Sequence, residues 1–342
     1  MPNDPKTAPA LPLPPANISR WLAPAAALAA GFLAGYLLRG GLQSSQSADT
    51  EHRQAAGYKF INPLLECEQG EGRIDVLMPH FKKGLEAFAV EEAKRNGVGF
   101  NAIYFRDLSN GPWFGIRESE KFRPASLLKV PVAMAVYKAA EERPELLRRK
   151  LRYAERLSLP QGRIQFIRPV KEIELGREYT VEELVEHMLV YSDNQALLLL
   201  SEVLPAKGIT ALYEALGVDR DVVENMDGKL SLRAFGTFYR ILFNASYLSR
   251  ANSEKLLEML SRSVYTRGLV AGVPPAVPVA HKFGEGGELG RDLQLQDCGI
   301  VYHPSRPYLI CVVGSGPSHE GLEKFISSVS AFVFEQVSSV GK

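Results

Sequence analysis

Apolar positions recur with two different periods beyond residue 60, and the change of period predicts an order of helices and strands. Leu77–Arg95 has helical spacing and closes on Asn96-Gly97, a typical C-terminal stop. Two strand-like runs follow, VGFNAIYFRDL and WFGIRES, and Ser109-Asn110-Gly111 between them indicates a hairpin. The helix after this hairpin ends before Pro144, because the residue ahead of a proline disfavours helical geometry.

The middle of the chain is predicted to be helical, and its end returns to strands. Leu146–Ser263 has mostly helical spacing, and Thr180–Glu183 is a capping box that opens a helix running towards Val190. Three strand-like runs come next, VPVAHKFG, LQLQDCGIVYH and PYLICVVG. A closing helix is predicted over Glu320–Gln336, whose apolar residues fall on one side.

This order of elements predicts an α+β fold with two lobes in residues 60–342. Two strands, a helical block and three more strands favour one five-stranded antiparallel sheet, flanked by the N-terminal and C-terminal helices. The helical block, about residues 146–263, forms an inserted helical lobe. A functional site is expected in the crevice between the two lobes.

The N-terminal segment has the pattern of a membrane anchor. Residues 1–17 are rich in Pro and Ala and are predicted to be disordered. Trp21–Leu38 carries no charge and reaches the lower limit for a bilayer-spanning helix, so residues 18–38 are predicted to be the anchor. The polar residues 39–59 would be a flexible linker. A cleaved signal peptide is the alternative, since Ala27-Leu28-Ala29 resembles a cleavage site, but little apolar sequence precedes it.

Composition narrows the class of partner. The chain has 342 residues, is 46% hydrophobic and has a net charge of +1, which gives no field for nucleic acid. A small molecule, a peptide or another protein is the expected partner. Gly31 and Gly35 form a GxxxG pair that would support a weak homodimer.

Cys67, Cys298 and Cys311 lack the spacing of metal ligands, so no metal or cofactor is expected. Cys298 and Cys311 can face each other on neighbouring strands, bonded or not.

The first candidate for chemistry is the pair Ser126 and Lys129 in FRPASLLKVPVAMAVYK. A serine and a lysine three residues apart on a helix lie on the same face. Apolar neighbours predict that the lysine is buried, which lowers its pKa and makes it able to take a proton from the serine. The alternative is a serine N-cap followed by a partly exposed lysine.

Two further polar groups interrupt apolar stretches. Ser192-Asp193-Asn194 lies in MLVYSDNQALLLL, and it is either a satisfied turn between two helices or part of a polar site. Lys282 lies in HKFGEGG, where glycines let a backbone or a ligand approach closely. An ordinary edge-strand lysine is the alternative interpretation of Lys282.

Taken in order, the three groups resemble the SxxK, SDN and KTG motifs of class A β-lactamases and penicillin-binding proteins. The resemblance extends from about Phe60 to the C-terminus and implies the same two-lobed fold. It implies that Ser126 is the acyl-accepting nucleophile and that Lys129 activates it. Ser192 would relay a proton to the leaving nitrogen, and Asn194 would hold the substrate amide and orient the lysine.

The resemblance also implies that the third motif binds the substrate. Lys282 would keep the site positive and attract a substrate carboxylate. Gly284 would let the substrate approach the strand, and the backbone N–H groups of Ser126 and Glu285 would form the oxyanion hole. Asp193 is expected to be structural, capping and bracing the turn.

Two departures from the family pattern are visible. Phe283 replaces the hydroxyl residue at the middle of the third motif; Arg291 and His281 are possible substitutes, although His281 is expected to pack away from the site. The Glu-x-x-Leu-Asn loop motif, whose glutamate activates the deacylating water in class A enzymes, is not found in the sequence. Glu224 is a possible stand-in, but a solvated loop glutamate is the favoured interpretation.

The expected function is that of a membrane-anchored serine acyl hydrolase whose domain lies outside the cytoplasmic membrane. It would open β-lactams or related amides through an acyl-Ser126 intermediate. One alternative is a penicillin-binding-protein-like peptidase or transpeptidase for peptides ending in D-Ala-D-Ala, with slow deacylation. The other is a catalytically silent, anchored module that binds a peptide.

Overall fold

The computed structural model describes residues 57–63, 74–109, 111–158, 166–204, 208–216, 229–287 and 292–340. The expected tail, anchor and signal cleavage site lie outside these residues, as does most of the linker. Cys67, Glu224 and Arg291 also lie outside them. Within the described residues, no helix combines the length and apolar character needed to span a bilayer.

The strands form one large sheet and two short ribbons. Their bounds are Phe100–Asp107 (β1), Trp113–Ile116 (β2), Lys121–Phe122 (β3), Lys150–Arg152 (β4), Glu178–Thr180 (β5), Leu230–Ser231 (β6), Val279–Gly286 (β7), Leu293–Val301 (β8) and Tyr308–Gly316 (β9). The five-stranded sheet has the order β2-β1-β9-β8-β7, and every neighbouring pair is antiparallel. This confirms the predicted sheet and leaves β7 at one edge.

The helices of the described residues surround that sheet. Their bounds are Ile74–Asn96 (α1), Lys129–Glu142 (α2), Val181–Val190 (α3), Asn194–Leu200 (α4), Gly208–Ala215 (α5), Leu232–Phe243 (α6), Arg250–Ser261 (α7) and His319–Val340 (α8). Short 3-10 helices cover Ala125–Leu128, Pro144–Arg148 and Leu269–Gly272. The predicted N-terminal and closing helices correspond to α1 and α8.

The sheet is buried on both faces, because its strands alternate between two apolar clusters. Tyr104 of β1 and Cys311 of β9 belong to the cluster shared with the helical lobe. Their neighbours Phe105 and Val312 belong to the cluster shared with α1 and α8. Successive side chains of a strand point to opposite faces, so one run of apolar residues serves both clusters. Cys298 and Cys311 lie directly opposite each other on β8 and β9 and form a disulfide.

Helices dominate the inserted lobe, but short strands also occur there. The predicted capping box opens α3: the Thr180 hydroxyl accepts a hydrogen bond from the Glu183 N–H, and the Glu183 carboxylate accepts one from the Thr180 N–H. The ribbons β3–β6 and β4–β5 are two and three residues long. Such short strands carry no readable alternation of apolar and polar residues, which is why the sequence analysis omits them.

The chain enters the domain through a fixed segment at residues 57–63. The backbone N–H groups of Lys59, Phe60 and Ile61 all donate to the Glu254 carboxylate, at 2.6, 2.8 and 3.0 Å. The Phe60 and Ile61 side chains are buried in the main core. Backbone hydrogen bonds and apolar packing therefore tie residues 59–61 to the rest of the domain.

Candidate active site

Ser126 lies in a tight turn rather than in the first turn of an α-helix. The 3-10 helix Ala125–Leu128 holds it, and α2 begins only at Lys129. Ala125 has a φ of 48°, a conformation that is uncommon for residues other than glycine and concentrates at functional sites. Leu127 is fully buried, whereas Ser126 remains partly exposed. Leu127 therefore fixes the turn in the core, while Ser126 stays accessible.

Lys129 is buried and reaches the Ser-Asp-Asn turn. Its Nζ donates to the backbone oxygen of Ser192 at 2.6 Å and to Oδ1 of Asn194 at 2.7 Å, and it lies 3.2 Å from the Ser192 hydroxyl. Among the described residues, the Ser126 hydroxyl makes no hydrogen bond with Lys129. The expected direct contact between serine and lysine is therefore absent, because the amine is turned towards two carbonyl oxygens.

The surroundings of Lys129 favour the neutral amine. Burial and the nearby charge of Lys282 lower the pKa of Lys129 well below its ordinary value, while Asp193 and Glu285 raise it by a smaller amount. A neutral amine has two N–H groups and one lone pair. Because the two carbonyl oxygens take both N–H groups, the lone pair is available to accept a hydroxyl proton.

The Ser-Asp-Asn triplet is both a satisfied turn and a polar cluster. It connects α3 to α4, and Ser192 takes the left-handed conformation, with a φ of 59°. Asp193 is the N-cap of α4, where Oδ1 accepts the N–H groups of Gln195 and Ala196. Its Oδ2 accepts the Ile173 N–H at 2.8 Å. This confirms the structural role expected of Asp193.

Lys282 lies in the middle of β7 and is fully buried. Its Nζ donates to the backbone oxygen of Phe283 at 3.2 Å and lies 4.1 Å from the centre of the Phe283 ring. Burial lowers the pKa of Lys282 to about 7, although the carboxylates of Asp297 and Glu285 oppose the shift. The expectation that Lys282 keeps the site positive therefore holds only below about pH 7.

Gly284 lets β7 lie directly against the turn that carries Ser126. A Cβ at this position would come within 2.9 Å of the Pro124 carbonyl oxygen and 3.2 Å of the Leu127 nitrogen. Any other residue would have to push the strand away from the turn. The glycine thus brings the third motif beside Ser126, as the family pattern requires.

The side chain of Glu285 and the segment bound to it are the features that sequence reasoning missed. The Glu285 side chain is 6% exposed and accepts the Ile167 N–H at 2.9 and 3.1 Å on its two oxygens. Its Oε2 also lies 3.1 Å from Nε2 of His319. The sequence analysis named Glu285 only for its backbone N–H. The one signal in the sequence was the long irregular stretch ahead of α3.

Of the two possible substitutes for the missing hydroxyl, His281 does not take its place, and Arg291 lies outside the described residues. His281 is buried, and its Nδ1 lies 2.8 Å from Oδ1 of Asp297, so it packs inside the domain as expected. Phe283 stacks on Tyr265, with ring centres 4.1 Å apart. In the part of the chain that the structure covers, no group of three or more His, Cys, Asp or Glu side chains is placed to hold a metal ion.

Comparison with known proteins agrees with this geometry. The model of the Beta-lactamase enzyme family matches residues 82–337. PBP-A is 22% identical, with a TM-score of 0.62, over 75% of this chain and 96% of that one. A β-lactamase from Chitinophaga pinensis is 20% identical, with a TM-score of 0.64, over 75% and 99%.

A third solved structure is a variant of the last common ancestor of Gram-negative bacteria class A β-lactamase. It is 25% identical, with a TM-score of 0.63, and the match covers 75% of this chain and 99% of that one. A search of curated proteins gave no match. The family model covers well over half of the chain, so the protein belongs to the β-lactamase enzyme family of serine hydrolases.

Proposed function

We propose that Ser126 is acylated by a β-lactam or a related amide. The Ser126 oxygen attacks the carbonyl carbon, and the serine proton passes to the neutral Lys129 amine. When the carbon–nitrogen bond breaks, the leaving nitrogen takes the Ser192 proton, and Lys129 returns its proton to Ser192. The products are an acyl-Ser126 ester and an amine, which stays attached to the acyl group when the substrate is a β-lactam and is released when it is a linear amide; Lys129 and Ser192 recover their starting states.

The observation that carries this proposal is the hydrogen bonding of the Lys129 amine. Two carbonyl oxygens fix its position, the Ser192 hydroxyl lies 3.2 Å away, and burial favours its neutral form. Acylation needs a base that takes the serine proton and a nearby hydroxyl that passes a proton to the leaving nitrogen. The Lys129 amine and the Ser192 hydroxyl meet these two needs. A module that only binds a peptide has no use for such a group, which argues against the silent alternative.

Deacylation is proposed to be slow. The chain lacks the Glu-x-x-Leu-Asn motif, so the residue that activates the deacylating water in class A enzymes has no counterpart by sequence. A single-residue mutant of PBP-A, one of the similar structures, was solved as an acyl-enzyme complex with penicillin G. A penicillin-binding-protein-like peptidase or transpeptidase is therefore the second candidate function, with a peptide amide in place of the β-lactam.

The cellular setting is also a proposal. The uncharged run Trp21–Leu38 would hold the protein in the cytoplasmic membrane, with the catalytic domain on the outer side. Cell-wall peptides and β-lactams are both met on that side of the membrane. Protease protection of the full-length chain in spheroplasts tests the orientation, because an outward domain is digested while the membrane is intact.

One experiment separates the candidate functions. Full-length protein in detergent is incubated with a chromogenic cephalosporin while turnover and intact protein mass are followed together. Sustained turnover indicates a β-lactamase, whereas a stoichiometric burst with a lasting mass increase indicates a penicillin-binding protein. Ser126→Ala must abolish the adduct. Absence of both turnover and adduct would contradict the proposed acylation and favour the binding module.

A further inference from the structure

The turn that carries Ser126 is held in a strained conformation. Ala125 has a φ of 48°, and Pro124 before it lies at a φ of −71° and a ψ of −22°. A flip of the planar peptide between them would change the Pro124 ψ and the Ala125 φ by about 180° each. Both angles would then take common values, extended for the proline and negative for the alanine. A turn without the strain is therefore accessible, and contacts of this peptide must oppose it.

Two hydrogen bonds among the described residues oppose this flip, and both end on the carbonyl oxygen of Pro124. The oxygen accepts the Leu127 N–H at 3.0 Å, within the turn itself, and Nε2 of Gln296 at 2.7 Å. A flip would point the oxygen in the opposite direction and break both bonds. Because Pro124 is buried, water does not readily replace these partners.

Gln296 reaches the turn from β8, across the edge strand. It lies directly opposite Gly284 of β7, and its Nε2 also donates to the backbone oxygen of Arg123 at 2.8 Å. Both N–H groups of the amide are thereby used, and only the nitrogen side of an amide can face two carbonyl oxygens. A Cβ at Gly284 would lie 3.1 Å from this Nε2. The absence of a side chain at Gly284 therefore leaves the space through which the glutamine reaches the turn.

Stability alone does not explain a glutamine at this position. Gln296 is 1% exposed, and among the described residues its Oε1 has no hydrogen-bond partner. A buried acceptor without a partner destabilises the folded state, and an apolar side chain of the same shape would avoid that loss. The Arg123 oxygen does not depend on Gln296 either, because Nε2 of Gln294 donates to it at 2.9 Å. The contribution that is specific to Gln296 is the hydrogen bond to Pro124.

We propose that Gln296 is a positioning residue for Ser126: its amide prevents the Pro124 peptide from flipping and so keeps the Ser126 hydroxyl directed at the carbonyl carbon that it attacks. The inference rests on the proposed acylation of Ser126 and adds a residue from outside the three motifs. Gln296 acts on the backbone two residues ahead of Ser126 rather than on the substrate. Its loss should therefore slow acylation without weakening substrate binding.

The test compares the unmutated full-length protein with Gln296→Met, whose side chain has a similar length but no donor. Intact mass gives the rate of acyl-Ser126 formation over a range of cephalosporin concentrations. The maximal rate should fall ~10²-fold, because a small displacement of the attacking atom has an effect of that size. The half-saturating concentration should change less than about threefold. A maximal rate within about threefold of the unmutated rate, or a change in the half-saturating concentration alone, would overturn the proposal.

Two controls distinguish positioning from a general loss of structure. Gln296→Met should melt within about 4 °C of the unmutated protein, because the Pro124 and Arg123 oxygens each keep one donor. Gln294→Met lies on the same face of β8 and leaves the Pro124 bond intact, so it should acylate within about threefold of the unmutated rate. Equal slowing in Gln294→Met would overturn the role of Gln296. If Gln296→Met melts more than about 10 °C lower, Gln296→Leu replaces it, and a matching fall in both would mean that the fold requires the glutamine and would also overturn the role.

Hydrogen exchange separates this outcome from that of the proposed function. The Leu127 N–H is bonded to the Pro124 oxygen, so its exchange rate in the unliganded protein reports whether the turn is held. Exchange should be ~10-fold faster in Gln296→Met than in the unmutated protein or in Gln294→Met, even if Ser126 never forms an adduct. Equal exchange in the three proteins would overturn the role of Gln296. Faster exchange in Gln296→Met, together with no adduct on the unmutated protein, would support the hold on the turn and contradict the proposed acylation.

Discussion

The two walls of the active site follow the family pattern to different extents. The helical wall consists of Lys129 and the Ser-Asp-Asn turn, and its amine, hydroxyl and amide are joined by hydrogen bonds of 2.6 to 3.2 Å. The sheet wall consists of residues 282–285 of β7. There the lysine bonds only weakly to a backbone oxygen at 3.2 Å, a phenylalanine replaces the hydroxyl residue, and the Glu285 carboxylate accepts the Ile167 N–H.

This difference indicates that the two walls carry separate tasks. In the proposed function, the helical wall supplies the groups that move protons, and its motif residues match the family pattern. The sheet wall binds the substrate in that proposal; it departs from the family pattern at Phe283, while Gly284 still packs the strand against the turn that carries Ser126. We therefore expect damage to the helical wall to stop chemistry, and damage to the sheet wall to alter stability and binding.

Replacing Lys129 should produce the largest effect. Lys129→Met removes the base but keeps an apolar side chain of similar length, so acylation of Ser126 should slow by ~10²–10⁴-fold without loss of the fold. The adduct formed over time, measured by intact mass, gives the rate. Lys94→Met, which alters a lysine 71% exposed on α1, is the control and should react normally. A rate for Lys129→Met within about threefold of the unmutated rate would rule out the base role.

Replacing Lys282 should change the pH dependence of stability. Its pKa is about 7 in the folded protein, below the ordinary value of 10.5, so between these values the unfolded chain binds more protons and stability rises with pH. Lys282→Met removes this dependence and should be more stable than the unmutated protein by about 3–5 kcal/mol at neutral pH. The advantage should vanish above about pH 10.5.

Urea unfolding of both proteins across this pH range provides the measurement. Taking the difference between the two proteins cancels the titration of other groups, provided that they remain unperturbed. A difference in unfolding free energy that stays constant with pH would mean that Lys282 is charged in the folded state, and would contradict the burial argument.

Replacing Asp193, which holds the Ser-Asp-Asn turn in place, should change the free energy of unfolding less than replacing Lys282. Asp193→Ala loses the N-cap of α4 and the acceptor for the buried Ile173 N–H, so the free energy of unfolding should fall by about 2–4 kcal/mol. Thr180→Ala removes the N-cap of α3 at an exposed position and should cost only about 1 kcal/mol. Equal losses in thermal or chemical unfolding would mean that the Ile173 contact contributes nothing.

The smallest predicted effect on stability separates two glycines of the sheet wall. Gly284→Ala places a methyl group 2.9 Å from the Pro124 oxygen, so it should cost about 1–3 kcal/mol and slow acylation by displacing the turn. Gly286→Ala is the matched control, because its nearest neighbour would be a side-chain atom at 4.0 Å. If both variants unfold and react alike, the close approach of β7 to the turn is not required.

Local patterns in the sequence predicted the elements of the fold well. The capping box at Thr180–Glu183, the three late strands and the closing helix are each specified by a few neighbouring residues, and all are present. The sequence also predicted that the two early and three late strands join in one antiparallel sheet, although it did not predict their order in that sheet. The membrane segment remains a prediction, because it lies outside the described residues.

Contacts between distant residues were not predictable from these patterns. Because residues three apart share a helix face, the sequence predicted a contact between Ser126 and Lys129. The Lys129 amine instead donates to Ser192 and Asn194, which lie 63 and 65 residues further along the chain. The bond between Ile167 and Glu285 joins residues 118 positions apart. The spacing of apolar and polar residues along the chain does not indicate such pairs, because they form only when the lobes pack together. The sequence therefore named residues that the structure brings together, Lys129, Ser192 and Asn194, but not the direction of each side chain.

The most direct test of the account is the charge of Lys129 in the unliganded protein. Its side-chain Nζ and Cε can be observed by NMR with labelled lysine and assigned by the loss of the signal in Lys129→Met. The account predicts that the pKa of Lys129 lies well below the ordinary lysine value and that Lys282 titrates near pH 7. A Lys129 signal that titrates near the ordinary lysine value of about 10.4 would contradict the central claim that the helical wall supplies a neutral base.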